Sequence, residues 1–253
     1  MTRFTIISYP RTGSTYLVKV LNNCSSLTCF SELFHSDKDA FKRSFLDNEL
    51  TVSRNIFDNF KSISKIEKLF DLRNKNPFKF LSMVFSSGST AVGFKIFPGQ
   101  NDVVLDKLLG DKTINKIILI RENLIRSFVS EQVALKTGKR DRFSQDEKPV
   151  LNKIMFDVDL FNKYAEKIQL QFSNYENYLR STNQEYLKLS YEEITDVFPV
   201  KKISRYLGLD LNDIVLSVKQ EKQNPFPLID MLINYTEVKA KLENSKWQKY
   251  LVD

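Results

Sequence analysis

The chain has 253 residues, 42% apolar and 27% charged, with a formal net charge of +7 and only 7 glycines and 7 prolines. These are ordinary globular values, which argue against a disordered or low-complexity chain and supply enough apolar mass for a substantial core. One histidine and two cysteines argue against a His-based metal site, a zinc cluster or a disulfide framework.

The basic balance suits an anionic partner. Lysines and arginines are nevertheless scattered among acidic residues, and even Lys61 to Lys79 is broken by Glu67 and Asp71, as on a solvated helix face. A nucleic-acid module would show a continuous basic stripe interleaved with aromatics, and none is present. Met1-Thr2-Arg3 leads straight into a strand-like run, and no stretch has the length and apolarity of a membrane span. A soluble, cytoplasmic protein is expected, and the sequence leaves a homo-oligomer open.

Phe4 to Tyr9 is a short β-branched run closed by Pro10 and, soon after, Gly13, so it predicts a buried strand and a sharp turn. From Ser14 the spacing of Leu17, Val20 and Leu21 predicts a helix, with Thr12, Ser14 or Thr15 as its cap. Between Ser36 and Phe80, the residues Phe57, Phe60, Ile63, Ile66 and Phe70 recur at helical intervals, which predicts one or two surface helices. Ala91–Ile96 and Ile114–Ile120 read as buried strands, and Asn123–Lys136 and Asp157–Arg180 as helices. Tyr186–Leu189 is a short strand, Tyr191–Leu207 a helix stopped by Gly208, and Leu228–Leu242 a last helix. Strands alternating with helices, and no linker between them, predict one α/β domain over 1–253. Its centre is a P-loop-like parallel sheet of four or five strands flanked by helices.

Tyr9-Pro10-Arg11-Thr12-Gly13-Ser14-Thr15, between a strand and a helix, is the arrangement of an anion-binding loop. Amides at a helix start favour negative charge, Gly13 permits close backbone approach, Ser14 and Thr15 add hydroxyl donors, and Arg11 adds a cationic fork. An ordinary strand-to-helix turn with a capping hydroxyl is the plainer alternative. A nucleoside-triphosphate P-loop would need G-x-x-x-x-G-K-[ST]. Here the first glycine and the lysine are absent, so a P-loop kinase is the disfavoured rival.

The same seven residues resemble the 5′-phosphosulfate-binding loop of sulfotransferases that use 3′-phosphoadenosine-5′-phosphosulfate (PAPS). They are similar in particular to the bacterial branch with the trehalose and Nod-factor enzymes, where Pro-Arg-Ser-Gly-Ser-Thr is usual. Arg121-Glu122-Asn123-Leu124-Ile125-Arg126-Ser127-Phe128-Val129-Ser130, with Ala134 and Thr137-Gly138 after it, resembles the 3′-phosphate segment. Leu189-Ser190-Tyr191-Glu192-Glu193-Ile194 with Tyr206-Leu207-Gly208-Leu209, and Lys222-Gln223-Asn224-Pro225 with Ile233-Asn234-Tyr235, are similar to two later blocks of the family. Lys139-Arg140 departs from it, since a tryptophan often follows Thr-Gly there.

The resemblance implies a sulfuryl transfer from PAPS to a hydroxyl, with a glycan or small molecule as acceptor and adenosine 3′,5′-bisphosphate as product, and no metal. It implies donor contacts from Arg11, Thr12, Gly13, Ser14, Thr15, Arg121 and Ser130, from Tyr191 to the adenine, and from Lys222 to a phosphate. Ser31-Glu32-Leu33-Phe34-His35, read here as a loop, falls where the bacterial enzymes carry a glutamate base. Glu32 is therefore the expected base, Arg11 the electrostatic clamp, and His35 the runner-up, as in the animal enzymes. Lys95, at the end of a buried strand, reads as a snorkelling lysine, with a contact to Glu32 or the sulfuryl group as the sharper alternative. The stretch from 36 to 80 is the expected acceptor-side insertion.

Overall fold

In the computed structural model, β1 (Thr2–Ser8), β2 (Leu27–Glu32), β3 (Ala91–Ile96), β4 (Ile114–Ile120) and β5 (Tyr186–Ser190) form one parallel sheet. Their order is β2-β3-β1-β4-β5. The structure describes residues 1–46, 63–86, 89–138, 149–196, 198–210 and 225–251. The expected α/β class with a parallel sheet holds, with five strands and flanking helices.

The chain forms two compact units. Met1–Ile120 with Tyr178–Val218 makes the first, and Arg121–Asn177 with Lys219–Asp253 the second. The first contains the whole sheet. Its central strand β1 is buried on both faces, and Phe4, Ile6 and Ile7 have no solvent exposure. Beside it, Gly93 on β3 leaves room for Phe4, whose ring lies 2.5 Å from where a β-carbon on Gly93 would stand.

All five strands point the same way, so Ser8, Glu32, Ile96, Ile120 and Ser190 end at one edge of the sheet. The connection leaving β1 runs to one side of it and the connection leaving β4 to the other. In open α/β sheets that reversal is where ligands bind.

α1 (Ser14–Leu21) joins β1 to β2 and buries Leu17, Val18, Val20 and Leu21. The sequence reading missed β2, taking its end as a loop. Thr28 and Ser31 blur its apolar alternation, and tertiary pairing with β3 decides the matter. On its other side, the Asn22 amide donates to the Cys29 carbonyl and accepts from the Cys29 N–H, at 2.8 and 2.7 Å. Asn22 thus satisfies an edge that would otherwise expose backbone groups.

The stretch expected to hold one or two helices contributes α2 (Lys38–Leu46), α3 (Ile63–Lys75) and the start of α4 (Pro77–Phe85). Phe57 and Phe60 lie outside the described residues. Phe34, Phe41, Phe80, Phe85 and Phe94 pack edge-on or tilted at 5.8–5.9 Å between ring centres, which roots these helices on the sheet. α5 (Asp102–Gly110) was not foreseen.

The expected helix from Tyr191 to Leu207 is two, α8 (Tyr191–Asp196) and α9 (Val200–Leu207). Pro199 lacks the N–H to continue a helix and becomes the N-cap of α9. Gly208, at φ 65, closes α9 as its sequence position predicted.

The second unit holds α6 (Leu124–Thr137), most of α7 (Val158–Ser181), α10 (Leu228–Met231) and α11 (Tyr235–Lys241). The last two replace one expected helix, because Leu232 turns extended and Ile154 bridges to it. The core of this unit is aromatic, with Phe128, Phe156, Phe161 and Trp247 at 5.1–5.6 Å between ring centres. No helix among the described residues is long and apolar enough to cross a membrane.

Candidate functional site

The loop after β1 is shaped by two left-handed residues, Arg11 at φ 67 and Gly13 at φ 76. For arginine that conformation costs about 1–3 kcal/mol, a strain that tends to collect at functional sites. Gly13 is the N-cap of α1, and its carbonyl accepts the first helical bond from the Leu17 N–H at 3.0 Å.

None of the three expected side chains caps α1. The Thr12 hydroxyl turns back to donate to the Tyr9 carbonyl at 2.8 Å, and the Thr15 hydroxyl is engaged elsewhere. Helices α4, α5 and α6, by contrast, are capped by Asn76, Asn101 and Asn123. A side-chain cap would occupy the first amides of α1, and the Gly13 start leaves them without one. Ser14, Thr12 and the Nε and Nη2 atoms of Arg11 are buried in this loop.

Tyr191, the first residue of α8, covers the loop from the other side of β1. Its ring carbon Cδ2 lies 2.5 Å from where a β-carbon on Gly13 would be. The Tyr191 ring therefore packs against the loop.

The loop also meets the end of β2. Lys95 on β3 is 2% exposed, and its Nζ donates to Thr15 Oγ1 at 2.9 Å and lies 3.1 Å from Glu32 Oε1. Gln100 donates from Nε2 to Glu32 Oε2 at 2.7 Å, while its own Oε1 accepts from the Phe97 N–H at 3.1 Å. Both carboxylate oxygens of Glu32 are therefore held by donors, and the group is about one-fifth exposed, with a side-chain exposure of 22%. The plain snorkelling account of Lys95 fails, since its head is buried among these partners.

His35 takes a different course. Its Nδ1 accepts from the Asp37 N–H at 3.0 Å, at the start of α2. The ammonium of Lys95 joins the loop after β1 to Glu32, and His35 is held at the foot of α2. Asp37 caps that helix by accepting from the Ala40 N–H at 2.7 Å, which holds its carboxyl below the usual range.

Sequence reasoning missed Arg73. From α3 its Nη1 donates to the carbonyls of Leu33 and His35, at 3.0 and 2.6 Å, and fixes the chain just after Glu32. Its guanidinium stacks on Phe70 and Phe41 at 4.3 and 4.9 Å, and burial pushes its pKa down to about 10. One of three arginines in the polar stretch from 36 to 80, Arg73 gives no sequence signal of such a role.

Arg121 and Ser130 belong to the second unit. Arg121 directly follows β4 and is half-buried, and Ser130 is half-buried on α6. Lys222 lies outside the described residues, as do Lys139 and Arg140. Among the described residues no group of three or more His, Cys, Asp or Glu side chains is placed to hold a metal ion.

No family model matches the chain, and no curated protein matches it. Among solved structures it is similar to a sulfotransferase from Alicyclobacillus acidocaldarius, at 14% identity and a TM-score of 0.46, over 95% of this chain and 91% of that one.

Proposed function

We propose that the chain is a sulfotransferase that moves a sulfuryl group from PAPS to a hydroxyl of a carbohydrate. One observation carries the reading: Lys95 connects Thr15, on the loop whose sequence pattern suits an anion, to the Glu32 carboxylate. Sulfuryl transfer needs both, together with in-line placement of the acceptor oxygen.

In this account the acceptor oxygen bonds to sulfur as the bond from sulfur to the bridging phosphate oxygen breaks. The acceptor proton passes to Glu32. The electron pair stays on the 5′-phosphate of adenosine 3′,5′-bisphosphate, where Arg11, Ser14, Thr15 and the amides at the start of α1 meet the growing charge. Gly13 suits that loop because a side chain there would run into the Tyr191 ring. The sequence resemblance assigns Arg121 and Ser130 to the 3′-phosphate, Tyr191 to the adenine and Lys222 to a phosphate. Within the loop itself, the missing lysine and first glycine speak against a kinase.

The test is incubation with labelled PAPS and a panel of glycans. Label transferred to a glycan, with adenosine 3′,5′-bisphosphate released in equal amount, is the expected result. Phosphate transferred from Mg-ATP, with PAPS inert, would overturn the proposal.

A further inference from the structure

The loop from Tyr9 to Thr15 carries one cation, Arg11, and no lysine. A second cation reaches it from outside. Lys95 arrives from β3, a strand paired on both sides, and its ammonium is sealed from solvent. Such a group is costly to bury unless its protons are all directed at acceptors. Two of those acceptors are Thr15 Oγ1 and Glu32 Oε1.

The first contact has a direction. An ammonium only donates, so Thr15 Oγ1 must accept, and the hydroxyl keeps its own proton for a further acceptor. In a buried setting the ammonium also polarises that O–H and makes it a better donor. Thr15 stands at the start of α1, so an anion bound there is the acceptor in reach of that proton.

The second contact is also directed. Gln100 has its oxygen committed to the Phe97 N–H, so its amide must present N–H to Glu32. Between Gln100 and Lys95 the carboxylate is fixed at both oxygens. Phe97 lies 5.3 Å from Lys95 Nζ and walls the ammonium in.

We infer that Lys95 is a positioning residue for both halves of the reaction. It acts through Thr15 on the anion at the start of α1, and through Glu32 on the acceptor's proton. Its ammonium takes the place of a loop lysine, delivered from the neighbouring strand. The Glu32 arm rests on the sulfuryl-transfer reading, whereas the Thr15 arm needs only that the loop binds an anion.

Calorimetric titration of the full chain with adenosine 3′,5′-bisphosphate and, separately, with inorganic phosphate tests this. Lys95→Met loses about tenfold in affinity for both, the loss expected of a charge-assisted contact. Thr15→Ala loses a similar factor. Because the two act in series, adding Lys95→Met to Thr15→Ala costs less than about twofold more. Glu32→Gln binds the bisphosphate as tightly as wild type or more tightly, since it removes a negative charge that shares the ammonium.

Lys95→Met leaves a half-buried carboxylate without its cation, so Lys95→Met/Glu32→Gln is measured beside it and shows the same loss relative to Glu32→Gln. A purely structural lysine would lower the melting temperature and leave the affinity of the folded protein unchanged. Wild-type affinity in the folded single or double variant overturns the inference, as does full additivity with Thr15→Ala. If wild type takes phosphate but not the nucleotide, and Lys95→Met weakens that binding, Lys95 keeps its role through Thr15, and the sulfuryl-transfer reading falls together with the Glu32 arm. If wild type takes neither, both fall.

Discussion

Glu32 stands opposite Lys95 one residue out of regular register. Phe30 pairs with Phe94 and Glu32 with Lys95, so β2 spends two steps where β3 spends one. An irregularity of this kind re-aims a side chain at the end of a strand. Here it brings the carboxylate, and not Ser31, to the ammonium. Glu32→Gln keeps the shape but cannot take a proton, and its NH2 gives up one of the two accepted hydrogen bonds, from Lys95 or from Gln100. Turnover with PAPS should fall by about 10²–10⁴-fold, while affinity for adenosine 3′,5′-bisphosphate is kept. His35→Asn should cost far less, because the His35 ring is engaged with the start of α2. A larger loss in His35→Asn than in Glu32→Gln would move the base to the histidine.

Gly13 is constrained twice, by its left-handed φ of 76 and by the Tyr191 ring against its α-carbon. Gly13→Ala should therefore destabilise the fold by about 1–2 kcal/mol for the backbone and by about 1–3 kcal/mol for the collision. Adding Tyr191→Ala removes the second cost only. Thermal unfolding of both variants checks this, with the double variant predicted to be destabilised by less than the sum of the two single changes. Strict additivity would mean that the ring does not press on the loop.

Much of this was legible in the sequence, for physical reasons that differ from element to element. β1, β3 and β4 are buried on both faces, so they read as near-continuous apolar runs, and the loop after β1 is announced by Pro10 and Gly13. β2 was hidden because Thr28 and Ser31 break its alternation and only pairing with β3 makes it a strand. The contact of Lys95 with Glu32 was open only as an alternative, and the roles of Gln100 and Arg73 were hidden, for a deeper reason. Each reaches Glu32 or its flanking carbonyls across a long separation in sequence, from β3, from the turn after it and from α3. No local pattern encodes such a meeting. The division of Tyr191–Leu207 into two helices was readable from Pro199 and was missed.

Lys116, on β4, is 1% exposed, with its Nζ donating to the Asp111 carbonyl at 2.6 Å and to Gln184 Oε1 at 2.5 Å. Burial pushes its pKa down from 10.5 to about 8. Between these two values the unfolded chain holds more protons than the folded one, so stability rises with pH across the window. Below the lower value the cost of a buried charge is present in full. Relative to Lys116→Met, the wild type should gain about 1–3 kcal/mol between pH 7 and pH 10, measured by denaturant unfolding. A difference between the two proteins that does not vary with pH would show that Lys116 titrates normally.

Arg121 directly follows β4, next to the central strand β1, and is the residue that the sequence resemblance assigns to the 3′-phosphate. Arg121→Ala should weaken binding of adenosine 3′,5′-bisphosphate by about 1.5–3 kcal/mol. Adenosine 5′-monophosphate, which lacks the 3′-phosphate, should not distinguish variant from wild type. Equal calorimetric losses for the two nucleotides would take Arg121 away from the 3′ position.

The central claim is that the loop from Arg11 to Thr15 serves a PAPS-type nucleotide and not Mg-ATP. A ligand that binds the folded state stabilises it by mass action, by about 2.7 kcal/mol at a hundred times its dissociation constant. Thermal unfolding with adenosine 3′,5′-bisphosphate in a magnesium-free buffer is the most direct measurement. The account predicts a clear rise in melting temperature that saturates with ligand, and none with Mg-ATP. An unmoved curve with the bisphosphate, together with a rise in Mg-ATP, would contradict it.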